Sequence, residues 1–153
     1  MDDAGALRLL LERERVAAVI NRLFVATDQR EWARVRACLA PRVTFDMASL
    51  GGGPPAQLSP QQITDGWAAG LRPIEAVHHQ IGNLSVECGE DDAVAACYGI
   101  AYHYLRTRSG KDTRVFVGSY DFRLRRTSDL WRISAMRFAA KFVDGNLELE
   151  SAG

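Results

Sequence analysis

Between Leu7 and Asp28 the apolar positions Leu9, Val16, Val19, Ile20, Leu23, Phe24 and, beside them, Thr27 recur at helical spacing with charged residues between them. That pattern predicts a long amphipathic helix. A shorter helix is predicted over 31–40, with Trp32, Val35, Arg36 and Leu39 on one side and Pro41 as its stop. Val43 to Met47 alternates as a short strand, and "SLGGGPPAQL" reads as a loop beside a site. Ser59, Pro60 and Gln62 form a cap, first-turn proline and capping-box partner for a third helix. After Pro73 the period changes to two, and strands are predicted over 77–88, 93–107, 113–126 and 131–142. Their separators "GEDD", "RSGKD" and "TSD" are short and turn-forming, so consecutive strands should pair as antiparallel hairpins. Helices first and a sheet second make one α+β domain over 1–153, with helices on the concave face of a curved antiparallel sheet.

The strand over 93–107 has unequal faces. Val94, Ala96, Tyr98, Ile100, Tyr102 and Tyr104 share one face; Ala95, Cys97, Gly99, Ala101, His103 and Leu105 share the other. Small residues on the concave side leave room for a ligand, with His103 projecting into it. Bulky residues on the convex side suit packing against another subunit, so a homodimer or homotrimer is expected.

Composition narrows the function classes. The 153 residues carry 19 basic and 19 acidic side chains, and 47% are hydrophobic. This balance provides a core but no net field toward nucleic acid or anionic membrane, and suits a hydrophobic small-molecule partner. Arg106 to Arg126 is locally basic, but its arginines at turns and alternate positions read as a solvated sheet face. Arg137 is either a buried pairing partner or a ligand contact. The N-terminal stretch lacks a cleavage site of the secretory kind, and no apolar run approaches the roughly 20 residues of a membrane span. Cys38, Cys88 and Cys97 are odd in number and without metal-ligand spacing, so buried free thiols and a cytoplasmic location are expected.

The candidate chemistry lies in polar residues set in apolar frames. Val16, Ile20, Phe24 and Asp28 follow one another four apart, so a carboxylate ends an apolar stripe. Asp28 either meets solvent or caps the next helix, or it pairs with a histidine of the sheet that the stripe covers. In "EAVHHQIGNLSVEC", His78 and His79 must face opposite ways. His79 and His103 are the available partners for Asp28, and carboxylate plus imidazole makes a general acid–base unit near neutral pH. Two histidines and an aspartate can also hold iron, but that set usually includes a short His-x-Asp/Glu element, which is lacking, so no metal is expected. The sequence has no phosphate loop, dinucleotide fingerprint or G-x-S-x-G elbow, and no cofactor is expected.

Three segments, in this order, resemble the nuclear transport factor-like cone fold and, within it, the SnoaL-like and scytalone dehydratase-like branch: "FVATDQREWARVRACLAPRVTFD", "HHQIGNLSVE" and "GSYDFRLRRTSDLWRISAMRF". The resemblance implies a cone-shaped α+β barrel and cofactor-free general acid–base chemistry on a hydrophobic cyclic, polyketide-like or steroid-like carbonyl compound. It places Asp28 as the carboxylate that orients a histidine, His79 as the catalytic strand histidine, and His103 as the second, an acid or hydroxyl binder. A dehydratase-like lyase is the first expectation; an isomerase or cyclase using the same residues, or a binding module without turnover, are the alternatives. The carbonyl-polarising tyrosines of such dehydratases fall on Thr27 and Met47, which leaves Tyr120 as the best substitute. Met47, Trp67, Phe24, Met136 and Phe138 complete the expected substrate lining.

Overall fold

The computed structural model describes residues 2–151. Helix α1 (Asp3–Asp28) starts where the Asp2 carboxylate accepts the Gly5 amide at 2.9 Å. It ends at a tight turn in which Arg30 takes a left-handed φ of 56°. The Arg30 guanidinium donates to the carbonyls of Leu71 and Ile74, tying this turn to the far end of α3. Helix α2 (Trp32–Ala37) is shorter than the sequence pattern predicts, and β1 (Leu39–Asp46) takes over what should have been its last turn. Pro41 does not stop a helix. It lies inside β1 where the ladder jumps from Leu39 opposite Ile133 to Thr44 opposite Ala135, a stretch that needs no proline N–H.

The glycine- and proline-rich segment is also more structured than a plain loop. A 3-10 turn (Ala48–Leu50) is pinned by Ser49, whose hydroxyl donates to the Phe138 carbonyl at 2.7 Å and accepts from the Ala140 amide at 3.0 Å. A short strand, β2 (Ala56–Leu58), follows and pairs with β1. Helix α3 (Pro60–Leu71) has the predicted start, with Ser59 and Gln62 exchanging both capping-box hydrogen bonds.

Strands β3 (Ala76–Cys88), β4 (Asp92–Tyr104), β5 (Thr113–Thr127) and β6 (Leu130–Gly145) pair as consecutive antiparallel hairpins. The six-stranded sheet runs β2-β1-β6-β5-β4-β3. Two corrections follow. The sheet is mixed, because β1 lies parallel to β6, and it is an open curved sheet with β2 and β3 as edges, not a closed barrel.

Bulges bend the sheet and reset its alternation. At Gly82 to Leu84, with Asn83 left-handed at φ 54°, the inward positions of β3 pass from Val77, His79 and Ile81 to Leu84, Val86 and Cys88. On β6, Ser134 is the extra residue between Ile133 opposite Leu124 and Ala135 opposite Arg123, so the buried positions change from Trp131 and Ile133 to Met136 and Phe138.

The α1 stripe of Val16, Ile20, Leu23 and Phe24 packs onto inner-face residues Val86, Ala95, Cys97, Phe122, Leu124 and Ile133. At one end of this core the Glu12 carboxylate accepts from Trp131 Nε1 at 2.7 Å and from Arg15 at 2.6 Å, and forms an ion pair with Arg126 at 2.7 Å. Arg126 therefore faces inward and stacks over Trp131, contrary to the solvated-face reading of that basic run. Cys38 and Cys97 are buried free thiols, whereas Cys88 is only half-buried.

Candidate active site

The other end of the core is hollow. A cavity of about 170 Å³ opens between the end of α1, the 3-10 turn, α3 and the inner face of the sheet. Phe24 and Thr27 enter it from α1, Met47 and Leu50 from the turn, Trp67 and Leu71 from α3. The sheet contributes His79, Ala101, His103, Phe116, Tyr120, Met136 and Phe138. A pair of facing glycines lies beneath two of these lining rings. Gly99 of β4 lies opposite Gly118 of β5, and a Cβ on Gly99 would come within 2.2 Å of the Tyr120 ring. One on Gly118 would come within 2.7 Å of Phe138. Tyr120 therefore lies across bare backbone, against Phe24 at 4.8 Å and Phe138 at 4.6 Å between ring centroids.

Asp28 reaches this wall from the last turn of α1. One carboxylate oxygen accepts the His79 backbone amide at 2.8 Å, and the other meets His79 Nδ1 at 2.6 Å. The two side chains are only 17% and 14% exposed. A carboxylate only accepts, so the contact holds a proton on Nδ1 and leaves Nε2 of a neutral ring as an acceptor. Phe24 flanks the imidazole at 5.2 Å. His78, on the opposite face, is exposed and lies beside Tyr102.

His103 is the second polar group in the lining. Its Nδ1 lies 3.2 Å from Arg114 of β5, its ring packs on Phe116, and burial, Arg114 and His79 in that order lower its pKa to about 4. Burial, followed by Cys97 and Asp28, pushes the Tyr120 hydroxyl above the ordinary tyrosine range, so it is a neutral hydrogen-bonding group. The Thr27 hydroxyl is already committed to the Leu23 carbonyl at 2.7 Å.

All the sequence-predicted site residues meet here: His79, His103, Tyr120, Met47, Trp67, Phe24, Met136 and Phe138 line the cavity, with Asp28 directly behind His79. Arg137 does not join them. It is on the outer face, exposed, with Nε 3.8 Å from Asp46. Sequence reasoning missed Arg114, although it alternates with Phe116, Gly118 and Tyr120 and so carried the inward signal. A wider groove of about 550 Å³ crosses the outer face past Thr44, Glu87, Asp121 and Arg137, but contains no histidine. Among the described residues no three His, Cys, Asp or Glu side chains gather as a metal site, and no helix is long and apolar enough to cross a membrane.

The SnoaL-like domain family model matches residues 8–137, which contain the dyad and every cavity-lining residue except Phe138. The chain belongs to the SnoaL-like family. Among solved structures, this SnoaL-like protein is similar to the Kfla4162 protein of Kribbella flavida, at 26% identity and a TM-score of 0.85, covering 92% of this chain and 97% of that one. A scytalone dehydratase-like protein of Novosphingobium aromaticivorans superposes with a TM-score of 0.78 at 11% identity, over 90% of this chain and 89% of that one. A hexachlorocyclohexane dehydrochlorinase, LinA-type3 of Novosphingobium barchaimii, gives 0.75 at 14% identity, over 93% and 94%. No curated protein matches the sequence. At these low identities the two enzyme-named neighbours bear on the fold, which is the nuclear transport factor-like cone.

Proposed function

We propose that this SnoaL-like domain is a cofactor-free lyase that eliminates water from a small cyclic β-hydroxy carbonyl compound. The observation that carries the reading is the Asp28 clamp on His79: one carboxylate accepts from both the ring and the backbone amide of His79, which lines the cavity with Nε2 left free of that clamp. His79 Nε2 takes the proton α to the carbonyl. The α,β double bond forms as the β-carbon–oxygen bond breaks, and the departing hydroxide takes back the abstracted proton from the His79 imidazolium to leave as water. Asp28 holds the tautomer and balances the imidazolium. His103 contacts the oxygen side of the substrate, and Tyr120 offers the remaining hydroxyl.

The size of the cavity supports the single-ring end of the substrate class. About 170 Å³ is close to the ~150 Å³ that accommodates benzene in an engineered apolar cavity, and below the ~300–1,000 Å³ usual for drug-sized ligands. The apolar lining favours a substrate whose only polar groups are those that react.

A second reading is elimination of halide by the same dyad. Thr27 and Met47 stand where the dehydratases have carbonyl-polarising tyrosines, and a halide can leave without an activated carbonyl. A hexachlorocyclohexane dehydrochlorinase shares this fold.

The test is a panel of single-ring β-hydroxy ketones and chlorinated cyclohexanes, followed by product absorbance and chloride release. Turnover that His79→Asn abolishes while leaving ligand affinity within about threefold supports the lyase; equal loss of affinity and turnover would instead indicate a binding module. The outer face, where Val94, Tyr98 and Tyr102 are 44%, 53% and 40% exposed, supports a homodimer or homotrimer, which sedimentation equilibrium would reveal.

A further inference from the structure

The cavity holds two histidines whose partners are of opposite kind. His79 Nδ1 faces a carboxylate, whereas His103 Nδ1 faces a guanidinium. Arginine has donors only and stays protonated in proteins, so the 3.2 Å contact from Arg114 to His103 can be a hydrogen bond only if Nδ1 of His103 is the bare nitrogen. The ring proton is then on Nε2.

Arg114 is held in this position from outside the cavity. Its guanidinium forms a two-pronged pair with Glu150, one prong at 2.8 Å, donates to the Leu147 carbonyl at 3.4 Å and lies over the Phe116 ring. Glu150 belongs to a short 3-10 turn after β6 (Leu149–Ser151), anchored by Leu149, which is 0% exposed against Leu71, Ile74 and Val77. Arg114 itself does not line the cavity.

We propose that Arg114, fixed by Glu150, is a positioning residue that keeps His103 in the neutral Nε2–H tautomer, so that His103 serves the site as a hydrogen-bond donor to the substrate's developing oxyanion. This rests on the lyase reading and deepens it. The dyad supplies an acceptor and His103 a donor facing it, which fills the carbonyl-polarising role left open by Thr27 and Met47. It also revises the expectation that His103 is a proton-delivering acid: an imidazole beside a guanidinium in a largely apolar wall does not charge near neutral pH. The charged and titratable groups around it are Arg114 on β5, His79 on β3, Asp28 on α1 and Glu150 on the C-terminal turn, and the balance of burial, Arg114 and His79 against the two carboxylates lowers its pKa to about 4.

The experiment is long-range ¹H–¹⁵N NMR of the uniformly labelled full chain between pH 4 and 8, which distinguishes the two nitrogens of each imidazole. His103 should show an unprotonated Nδ1 and a protonated Nε2 throughout pH 6–8. Arg114→Met should mix the His103 tautomers and raise its midpoint by about one unit or more. Arg114→Lys, which retains a cation, should keep the midpoint nearer the parent value. A parent His103 that is Nδ1-protonated or titrates near 6.5 would overturn the proposal, and needs no variant to fold. So would an unchanged tautomer in Arg114→Met. Because none of these signals depends on turnover, failure here leaves the dyad reading standing, and an inactive protein with the expected tautomers would instead sink the lyase.

Discussion

Asp28 is the residue on which the account of the dyad depends most. It spends both oxygens on His79, one on the ring and one on the backbone. Asp28→Asn keeps the shape but supplies an amide whose NH2 cannot accept, so the ring loses its fixed tautomer. The expected result in steady-state kinetics is a fall in kcat of about 100- to 10,000-fold with a smaller change in KM. Asp28 and His79 were legible because each breaks a simple pattern, a carboxylate ending an apolar stripe and a histidine on the inner parity of a strand. Arg114 had the same inner parity. Its charge argued for solvent, and only the packing of Glu150 from a distant segment makes an inward arginine tolerable.

At the scale of elements, the bare backbone of β4 and β5 seats the Tyr120 and Phe138 rings that line the cavity. Gly99→Ala would place a methyl 2.2 Å from the Tyr120 ring, which Phe24 and Phe138 hold on two sides. The expected cost is about 1–3 kcal/mol in urea denaturation, together with loss of ligand affinity as Tyr120 is forced into the cavity. The helix-to-sheet latch at the opposite end behaves differently. Glu12→Ala leaves the Trp131 indole and Arg126 without their shared acceptor, and is expected to cost about 2–4 kcal/mol while leaving ligand affinity unchanged.

The strands, their order and the capped third helix could be read from period and turn chemistry. The bulges could not. Strict alternation from Trp131 would turn Ala135 and Arg137 inward, and it is the extra residue Ser134 that brings Met136 and Phe138 to the cavity instead. Likewise Pro41 looked like a helix stop because proline's missing N–H matters only where a ladder demands it, and β1 makes no such demand there.

For the whole molecule, ionisation couples the cavity to stability. The folded pKa of His103, about 4, lies below the 6.5 of a free histidine, so its contribution is complete above about pH 6.5 and is lost as pH falls toward 4, where the unfolded chain binds the proton first. Glu12, held low chiefly by the Trp131 hydrogen bond, and Glu150, held low chiefly by Arg114, add losses that begin only below their ordinary value near 4.5. Urea midpoints should therefore decline already between pH 6.5 and 5, and that early part of the decline should be absent in His103→Gln. A midpoint flat from pH 7 to 5 in the parent protein would contradict the buried neutral His103. The open sheet, the hollow end and the latched end together describe one cone in which the core stabilises one half and leaves the other for a ligand.

The central claim is that His79 Nε2, oriented by Asp28, removes a proton next to a carbonyl inside the cavity. Proton NMR of 3-hydroxycyclohexanone in D2O tests it most directly, because deuterium entering the α-position and cyclohexenone appearing are read in one spectrum. The account predicts enzyme-dependent α-deuteration in the parent protein, unchanged in His78→Asn and reduced at least about 100-fold in His79→Asn. Exchange that persists in His79→Asn, or a parent protein that binds the ketone but neither exchanges its α-proton nor forms cyclohexenone, would contradict it.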